Sequence, residues 1–203
     1  MSKDWTGNSK SIFTTLGASN HSIHEREEND YYATDPIALV KLLEKERFNH
    51  YVWECAVGGG HLANVLKEKG YDVKCSDIID RGYPQTEIAD FLLWERNKAE
   101  IDRDIITNPP YSKALDFVSH ALKESMGGIK VAMLLKLQFL EGKKRRTFFT
   151  ESPPKKIYVF SERIDCAKNG NFAQLKKQGG KAVCYAWFVW ENGWYGSPQI
   201  DWI

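Results

Sequence analysis

Tyr51-Val52-Trp53-Glu54-Cys55-Ala56-Val57-Gly58-Gly59-Gly60-His61 is the stretch on which the reading of the fold turns. A short β-branched and aromatic run enters a glycine cluster, and Leu62, Val65 and Leu66 then recur at helical spacing up to Gly70. Strand, glycine turn and helix in that order form the corner of an α/β sheet where backbone approaches a ligand at a helix N-terminus. Tyr71 to Ser76 reads as the next strand, with Asp77 at its carboxyl end, 19 residues after Gly58. That is close to the spacing at which an acid reaches ribose hydroxyls. From Gly58 the run is G-x-G-x-x-A. It fits NAD and S-adenosylmethionine alike, because both carry an adenosine ribose.

Outward from this corner, strand and helix signals alternate. Asp35 and Pro36 are a good N-cap and first-turn pair for a helix carrying Ile37, Leu39, Val40, Leu42 and Leu43. Asp77 to Ile88 reads as loop around Gly82 and Pro84, and Asp90-Phe91 as a turn before the next strand. Asp104 to Thr107 is a strand stopped by Asn108-Pro109-Pro110-Tyr111, since two prolines cannot continue a central ladder. A helix over Ser112 to Met126 ends at Gly127-Gly128, and Ile129 to Leu137 has the near-continuous apolar character of a buried parallel strand. A basic amphipathic segment at 143–146, a strand at Lys156 to Phe160 and a last clear strand at Ala182 to Trp190 complete the pattern. Alternation of this kind predicts a doubly wound α/β sheet in one domain over residues 31–203, with no internal repeat. Residues 1–30, rich in Ser, Thr, Asn and charge, read as a flexible polar arm.

Composition bounds the function. With 203 residues, 42% hydrophobic and 27% charged, the chain can bury a sizeable core. It has no apolar run of the ~18 residues a membrane span requires, and its polar start lacks a signal-peptide core. A cytoplasmic protein is the expectation. The four cysteines, at 55, 75, 166 and 184, form no C-x-x-C pair and have no histidine at ligand spacing, so no metal site is expected. Net charge is only +1, yet residues 1–100 carry 12 Lys/Arg against 17 Asp/Glu, whereas 141–181 carry 11 against 4. A basic lobe beside an acidic one is the footprint of a protein that meets a polyanion on one face.

Chemistry concentrates at two places. Glu54, at the strand end before the glycines, suits a cationic amino-acid head and gains little from a pyrophosphate, which tilts the loop toward S-adenosylmethionine. Asp90-Phe91 supplies an acceptor and an aromatic face for an adenine ring. Asn108-Pro109-Pro110-Tyr111 falls at the carboxyl end of a central strand, where such sheets place ligands. An exocyclic amine conjugated to a ring is a poor nucleophile. Acceptors aimed at its N–H groups, here the Asn108 side-chain oxygen and the Pro109 carbonyl, draw it toward a tetrahedral shape, and Tyr111 offers a ring to stack on. Transfer from a sulfonium then needs alignment rather than a metal or a protein nucleophile.

In that order, Glu54 to Gly60, Asp77, Asp90-Phe91 and Asn108 to Tyr111 resemble the amino-group methyltransferases of the S-adenosylmethionine-dependent class, especially the small phage-type N6-adenine DNA methyltransferases with gamma motif order. Asp30-Tyr31-Tyr32-Ala33-Thr34-Asp35-Pro36 is similar to the family's Tyr-x-Thr-Pro element. The resemblance implies a Rossmann-like class I methyltransferase fold with a mostly parallel sheet and a last antiparallel strand. It implies target-amine chemistry at Asn108, Pro109, Pro110 and Tyr111. Cofactor contacts are implied for Tyr32, Thr34, Glu54, Ala56, Gly58, Gly60, Asp77, Ile78, Asp90 and Phe91. Two departures stand out: Cys55 replaces a common proline, and Asp35 separates Thr34 from Pro36. Nothing after Trp190 is long enough for a separate target recognition domain.

On this reading Lys143, Lys144, Arg145, Arg146, Lys155, Lys156, Lys168, Lys176 and Lys177 are candidates for nucleic-acid phosphates, DNA favoured over RNA, and Phe172 for closing on a base opposite Tyr111. Trp187, Phe188, Trp190, Trp194 and Trp202 read as core and edge packing. The alternatives are an RNA adenine N6- or protein glutamine N5-methyltransferase, an NAD-dependent oxidoreductase and a catalytically silent nucleic-acid-binding module.

Overall fold

The computed structural model describes residues 31–97, 99, 101–168 and 183–203. The strands in chain order are β1 (Tyr32–Thr34), β2 (Tyr51–Glu54), β3 (Asp72–Asp77), β4 (Thr86–Ile88) and β5 (Asp104–Thr107). Then come β6 (Lys130–Lys136), β7 (Lys156–Val159), β8 (Cys166–Lys168), β9 (Tyr185–Glu191) and β10 (Gln199–Trp202). The α-helices are α1 (Ile37–Lys45), α2 (His61–Glu68), α3 (Ala114–Glu124) and α4 (Lys143–Glu151). Residues 1–30 and Phe172 lie outside the described residues, as do Lys176 and Lys177.

Period-two alternation in the central strands divides the core. Val52, Ile106, Ala132, Leu134, Trp187 and Val189 pack on one face of the sheet with α1 and α2. Their immediate neighbours Trp53, Ile105, Val131, Met133, Leu135, Phe188 and Trp190 pack on the other with α3. Both faces being covered, β6 is apolar along its whole interior. The indole N–H groups inside find acceptors, Trp187 Nε1 on the Ala38 carbonyl at 2.9 Å and Trp190 Nε1 on the Ser152 carbonyl at 3.1 Å, so their large apolar surfaces are buried without an unmet donor. Trp202, by contrast, is exposed on β10.

The main sheet has the order β10-β7-β9-β6-β5-β2-β3-β4. Its pairings are parallel except those of β9, which runs antiparallel to both β6 and β7. This is the doubly wound, mostly parallel sheet expected. The chain winds from β2 outward through β3 to β4, then returns to lay β5 and β6 on the other side of β2. The reversal opens a crevice at the carboxyl ends of β2 and β5. The N-cap of α1 is Pro36 rather than Asp35, whose carboxylate nonetheless accepts the Ile37 N–H at 3.1 Å just ahead of the helix.

Three features depart from the sequence reading. Short strand β4 interrupts the stretch read as loop, and β10 follows β9, so β9 is the antiparallel strand but not the last one. A separate two-stranded sheet pairs β1 with β8, Thr34 opposite Cys166 and Tyr32 opposite Lys168.

Candidate active site

The crevice is a cleft of about 340 Å³ whose wall brings together Tyr32, Thr34, Glu54, Ala56, Asp77, Ile78, Asp90, Phe91, Asn108, Pro109 and Pro110. Glu54, Asp77, Asp90 and Asn108 converge there because each ends or follows a strand at the same edge of the main sheet, whereas Tyr32 and Thr34 come from β1, outside it.

The glycine loop owes its shape to left-handed backbone at Gly58 (φ +55°) and Gly60 (φ +80°), which side chains rarely adopt. A Cβ on Gly58 would strike the Tyr31 ring, and one on Gly60 the Tyr83 ring. Asp77 fixes the loop from the neighbouring strand. One carboxylate oxygen accepts the Gly58 N–H at 2.8 Å and the other the Ile79 N–H at 3.1 Å. Thus the acid expected to meet a ribose also holds the glycine turn, each oxygen keeping a second lone pair. Ile78, 52% exposed, offers the cleft an apolar surface at the end of β3.

Glu54 is 1% exposed and lines the cleft, with Oε1 accepting the Ala56 N–H at 3.3 Å. Its Oε2 has no hydrogen-bond partner among the described residues. Burial pushes its carboxyl up to about 8, the nearby Asp77 charge adding to the rise, while the Thr107 hydroxyl and the Ala56 N–H oppose it. A buried acid of this kind is uncharged at neutral pH until a cation arrives.

Asp90 accepts the Leu92 N–H at 2.9 Å and so shapes its own turn. Phe91 is 2% exposed, its ring edge-on to Trp53 at 5.2 Å and tilted on Phe117 at 5.0 Å. Most of that ring is core.

At the end of β5, Asn108 Nδ2 donates to the Tyr32 carbonyl at 3.0 Å and to Thr34 Oγ1 at 2.8 Å. Asn108 Oδ1 has no partner among the described residues. Prolines 109 and 110 form the adjoining wall. Tyr111 lies outside that wall. Its ring is tilted between Tyr32 and Tyr185, each at 5.7 Å, and Lys136 Nζ sits 4.7 Å from its centroid. Burial pushes its hydroxyl well above the ordinary tyrosine range.

Several cleft residues escaped the sequence reading. The Tyr31 hydroxyl accepts the Gly59 N–H at 3.0 Å, and the Arg81 guanidinium lies 4.2 Å from the Tyr31 ring centroid, so the two cover the glycine loop. His61, Ser112 and Lys113 also line the wall, and burial lowers the His61 pKa, keeping that ring neutral at pH 7. Tyr31 lies in the 30–36 element already quoted, though not among the contacts implied for it, whereas Arg81 sits in featureless loop sequence.

The basic lobe separates into two groups. Lys143, Lys144 and Arg146 are exposed on α4. Arg145 folds back, donating to the Gln138 carbonyl at 3.2 Å and lying 5.4 Å from the Phe139 ring centroid. Lys155 pairs with Glu191 at 2.7 Å and Lys156 with the buried Glu46 at 3.2 Å. The expectation that Lys155 and Lys156 face phosphates is therefore corrected: Lys155 is paired with Glu191, and Lys156 is drawn to Glu46, which it shares with Lys130 at 2.6 Å. Lys168 contributes its backbone to β8. Among the described residues no group of three or more His, Cys, Asp or Glu could hold a metal ion, and no helix is long and apolar enough to cross a membrane.

No family model and no curated protein matches the chain. Solved structures do. The methyltransferase subunit of a type I restriction-modification system from Streptococcus thermophilus aligns with TM-score 0.61 and 12% identity, over 85% of this chain and 47% of its own. The chain thus spans about half the length of that subunit. A protein designated a class I S-adenosylmethionine-dependent methyltransferase, from Listeria monocytogenes, aligns with TM-score 0.55 and 13% identity over 89% of this chain and 68% of its own. One designated a hemolysin, from Lactococcus lactis, aligns with TM-score 0.58 and 12% identity over 86% and 95%. The scaffold is that of the class I methyltransferases, Rossmann-like and α/β, as the resemblance implied. Identities this low show a shared fold, and what the chain does with it must be argued from the site.

Proposed function

We propose that this protein transfers a methyl group from S-adenosylmethionine to an exocyclic amino group, adenine N6 in DNA being the favoured target. The observation that carries the reading is the meeting, in one cleft, of an Asn108 Oδ1 unpartnered among the described residues with the acids Glu54 and Asp77 and with Ala56 and Val57, which lead into the glycine turn; Gly58 and Gly60 themselves are not on the cleft wall.

The acids argue for a cationic donor. A pyrophosphate would add negative charge beside Asp77 and a buried carboxyl, whereas an ammonium or sulfonium gives Glu54 the partner it lacks. In this reading Asp77 takes the ribose, Ile78 and Leu92 flank the adenine, Asp90 accepts from its amine, and Ala56, Gly58 and Gly60 supply backbone. Asn108 Oδ1 and the Pro109 carbonyl accept the two N–H bonds of the target. As the C–N bond forms and the S–C bond breaks, the electron pair leaves with sulfur and the excess proton passes from nitrogen to solvent. The chain's contribution is to hold the amine in line and stabilise its growing positive charge.

Several observations support a nucleic-acid target. Three exposed cations occupy the first turn of α4, which carries no acid. Cations at the positive end of a helix repel it and one another, a cost that a phosphate removes. The structural neighbours include the methyltransferase subunit of a restriction-modification system and a protein designated an RNA methyltransferase, in keeping with a nucleic-acid target. A protein-glutamine enzyme needs no such basic lobe. A base within a duplex must first be extruded, at a few kcal/mol, and Phe172 and Lys168 are assigned to that step. Residues 31–203 are taken as the catalytic unit.

Methyl transfer from radiolabelled S-adenosylmethionine to DNA, RNA and protein pools tests the proposal. Incorporation into DNA adenine is expected, and incorporation into none of the nucleic acids overturns it. Asn108→Ala should cut transfer by about 10²–10³-fold while leaving cofactor affinity within twofold.

A further inference from the structure

We infer that Thr34 is a positioning residue for the target amine: with the Tyr32 carbonyl it fixes the Asn108 amide so that only an oxygen acceptor faces the nucleophile. The inference rests on the functional reading above and adds to it a part for Thr34 that contact with the cofactor would not require.

A primary amide can turn about its last bond, and the two orientations are chemically opposite. With oxygen toward the cleft, Asn108 accepts from an N–H; with nitrogen there, it donates and repels an amine. The choice is made by the groups behind it. The Tyr32 carbonyl can only accept, so the atom 3.0 Å from it must be Nδ2. The second Nδ2 hydrogen goes to Thr34 Oγ1 at 2.8 Å, on a side chain 3% exposed. Both amide hydrogens are consumed, the amide plane is fixed at two points, and Oδ1, itself buried, is left without a partner among the described residues.

Strand β1, which carries both acceptors, lies 74 and 76 residues from Asn108 in sequence and is not part of the main sheet. Its own position is set by pairing with β8, Thr34 opposite Cys166, and by the Asp35 N–H on the Asp165 carbonyl at 3.0 Å. The orientation of the amide therefore depends on this small sheet. It also selects the substrate: a nucleophile must bring hydrogens to Oδ1, as an amine does and an ionised oxygen does not.

The test uses Thr34→Val, which keeps the shape and removes the acceptor, with Thr34→Ser as the restoring variant and Thr34→Ala as a second removal. Two measurements are made on the full chain. In ¹⁵N-edited spectra the Asn108 side-chain NH₂ pair, assigned by its loss in Asn108→Ala, should show one proton moving upfield and exchanging at least fivefold faster in Thr34→Val, and not in Thr34→Ser. In methyl transfer, Thr34→Val should lower kcat at least tenfold with cofactor Kd and nucleic-acid KM within twofold. Thr34→Ser should return to within threefold of the wild type. An unchanged Asn108 pair in both Thr34→Val and Thr34→Ala overturns the inference. So does a tenfold loss of cofactor affinity at unchanged kcat, which would make Thr34 a cofactor contact. If the wild-type protein methylates nothing, the functional reading fails, while the Asn108 resonances still decide whether Thr34 holds the amide.

Discussion

Replacing Glu54 by glutamine tests how the cleft is charged before any ligand enters. Glu54 is wholly buried with one oxygen unpartnered among the described residues, and desolvation moves its carboxyl from an ordinary 4.5 to about 8. In the unfolded chain the group ionises near its ordinary value, so between about 4.5 and 8 the folded protein holds a proton that the unfolded one has lost. Stability must then fall as pH rises through that window and level off above it. The loss is tenfold in the folding constant per pH unit, summing to on the order of 5 kcal/mol as an upper bound. A glutamine side chain cannot ionise, so the Glu54→Gln variant should lack this slope and gain on the wild type steadily from pH 5 to pH 8. Urea unfolding midpoints at one-unit pH intervals measure the difference. Calorimetry in buffers of different ionisation enthalpy gives a second view. S-adenosylmethionine binding near pH 7 should release close to one proton from the wild-type protein and none from Glu54→Gln. Parallel pH–stability curves for the two proteins would refute the argument, because Glu54 would then be ionised or solvated in the folded state.

The donor itself can be tested without a substrate: calorimetry should show S-adenosylmethionine binding at least 10²-fold tighter than NAD, and tight NAD binding with no affinity for S-adenosylmethionine would overturn the assignment. Gly60→Ala should destabilise the protein by about 1–3 kcal/mol from its left-handed backbone, and by more than Gly70→Ala in thermal unfolding. Both glycines have positive φ, but only a Cβ at Gly60 meets a ring, that of Tyr83. Substituting Lys143, Lys144 and Arg146 together by alanine should weaken duplex binding and reduce the slope of log affinity against log salt by roughly 3 if all of them meet phosphates. An unchanged slope would make them ordinary surface.

What could be read from the sequence was what burial writes into it. β2, β5, β6 and β9 alternate residues between two covered faces, and Asp77 stands at a strand end where spacing alone finds it. β4 and β10 could not be seen this way. They have three and four residues, and β10 is exposed at every position, so no pattern marks it. The β1–β8 sheet is held by pairing across more than a hundred residues, which leaves no local trace. The same limit applies to charge. Lys155 and Lys156 look like their neighbours Lys143 and Lys144 in sequence, but Glu191 and Glu46 reach them through the fold and draw them into ion pairs, Glu46 being shared with Lys130. Tyr111 belongs to a motif legible at a glance, yet it is not on the cleft wall: its ring lies between that of Tyr32, which is, and that of Tyr185.

The site divides its chemistry by element. In the proposed reading, donor recognition falls to β2, β3 and the glycine turn, where Asp77 and Glu54 would reward positive charge while Asp77 pins Gly58. Nucleophile recognition then falls to Asn108 at the end of β5, whose amide is held by β1, itself paired with β8. Because β1 enters the cleft from outside the main sheet, changes in it can alter how the amine is held without disturbing the strands that hold the donor. A loss of transfer with intact donor binding is therefore the expected signature of damage on the β1 side, and weakened donor binding that of damage at the glycine turn. Binding measurements alone report damage at the glycine turn, and a methyl-transfer assay beside them is what reports damage on the β1 side.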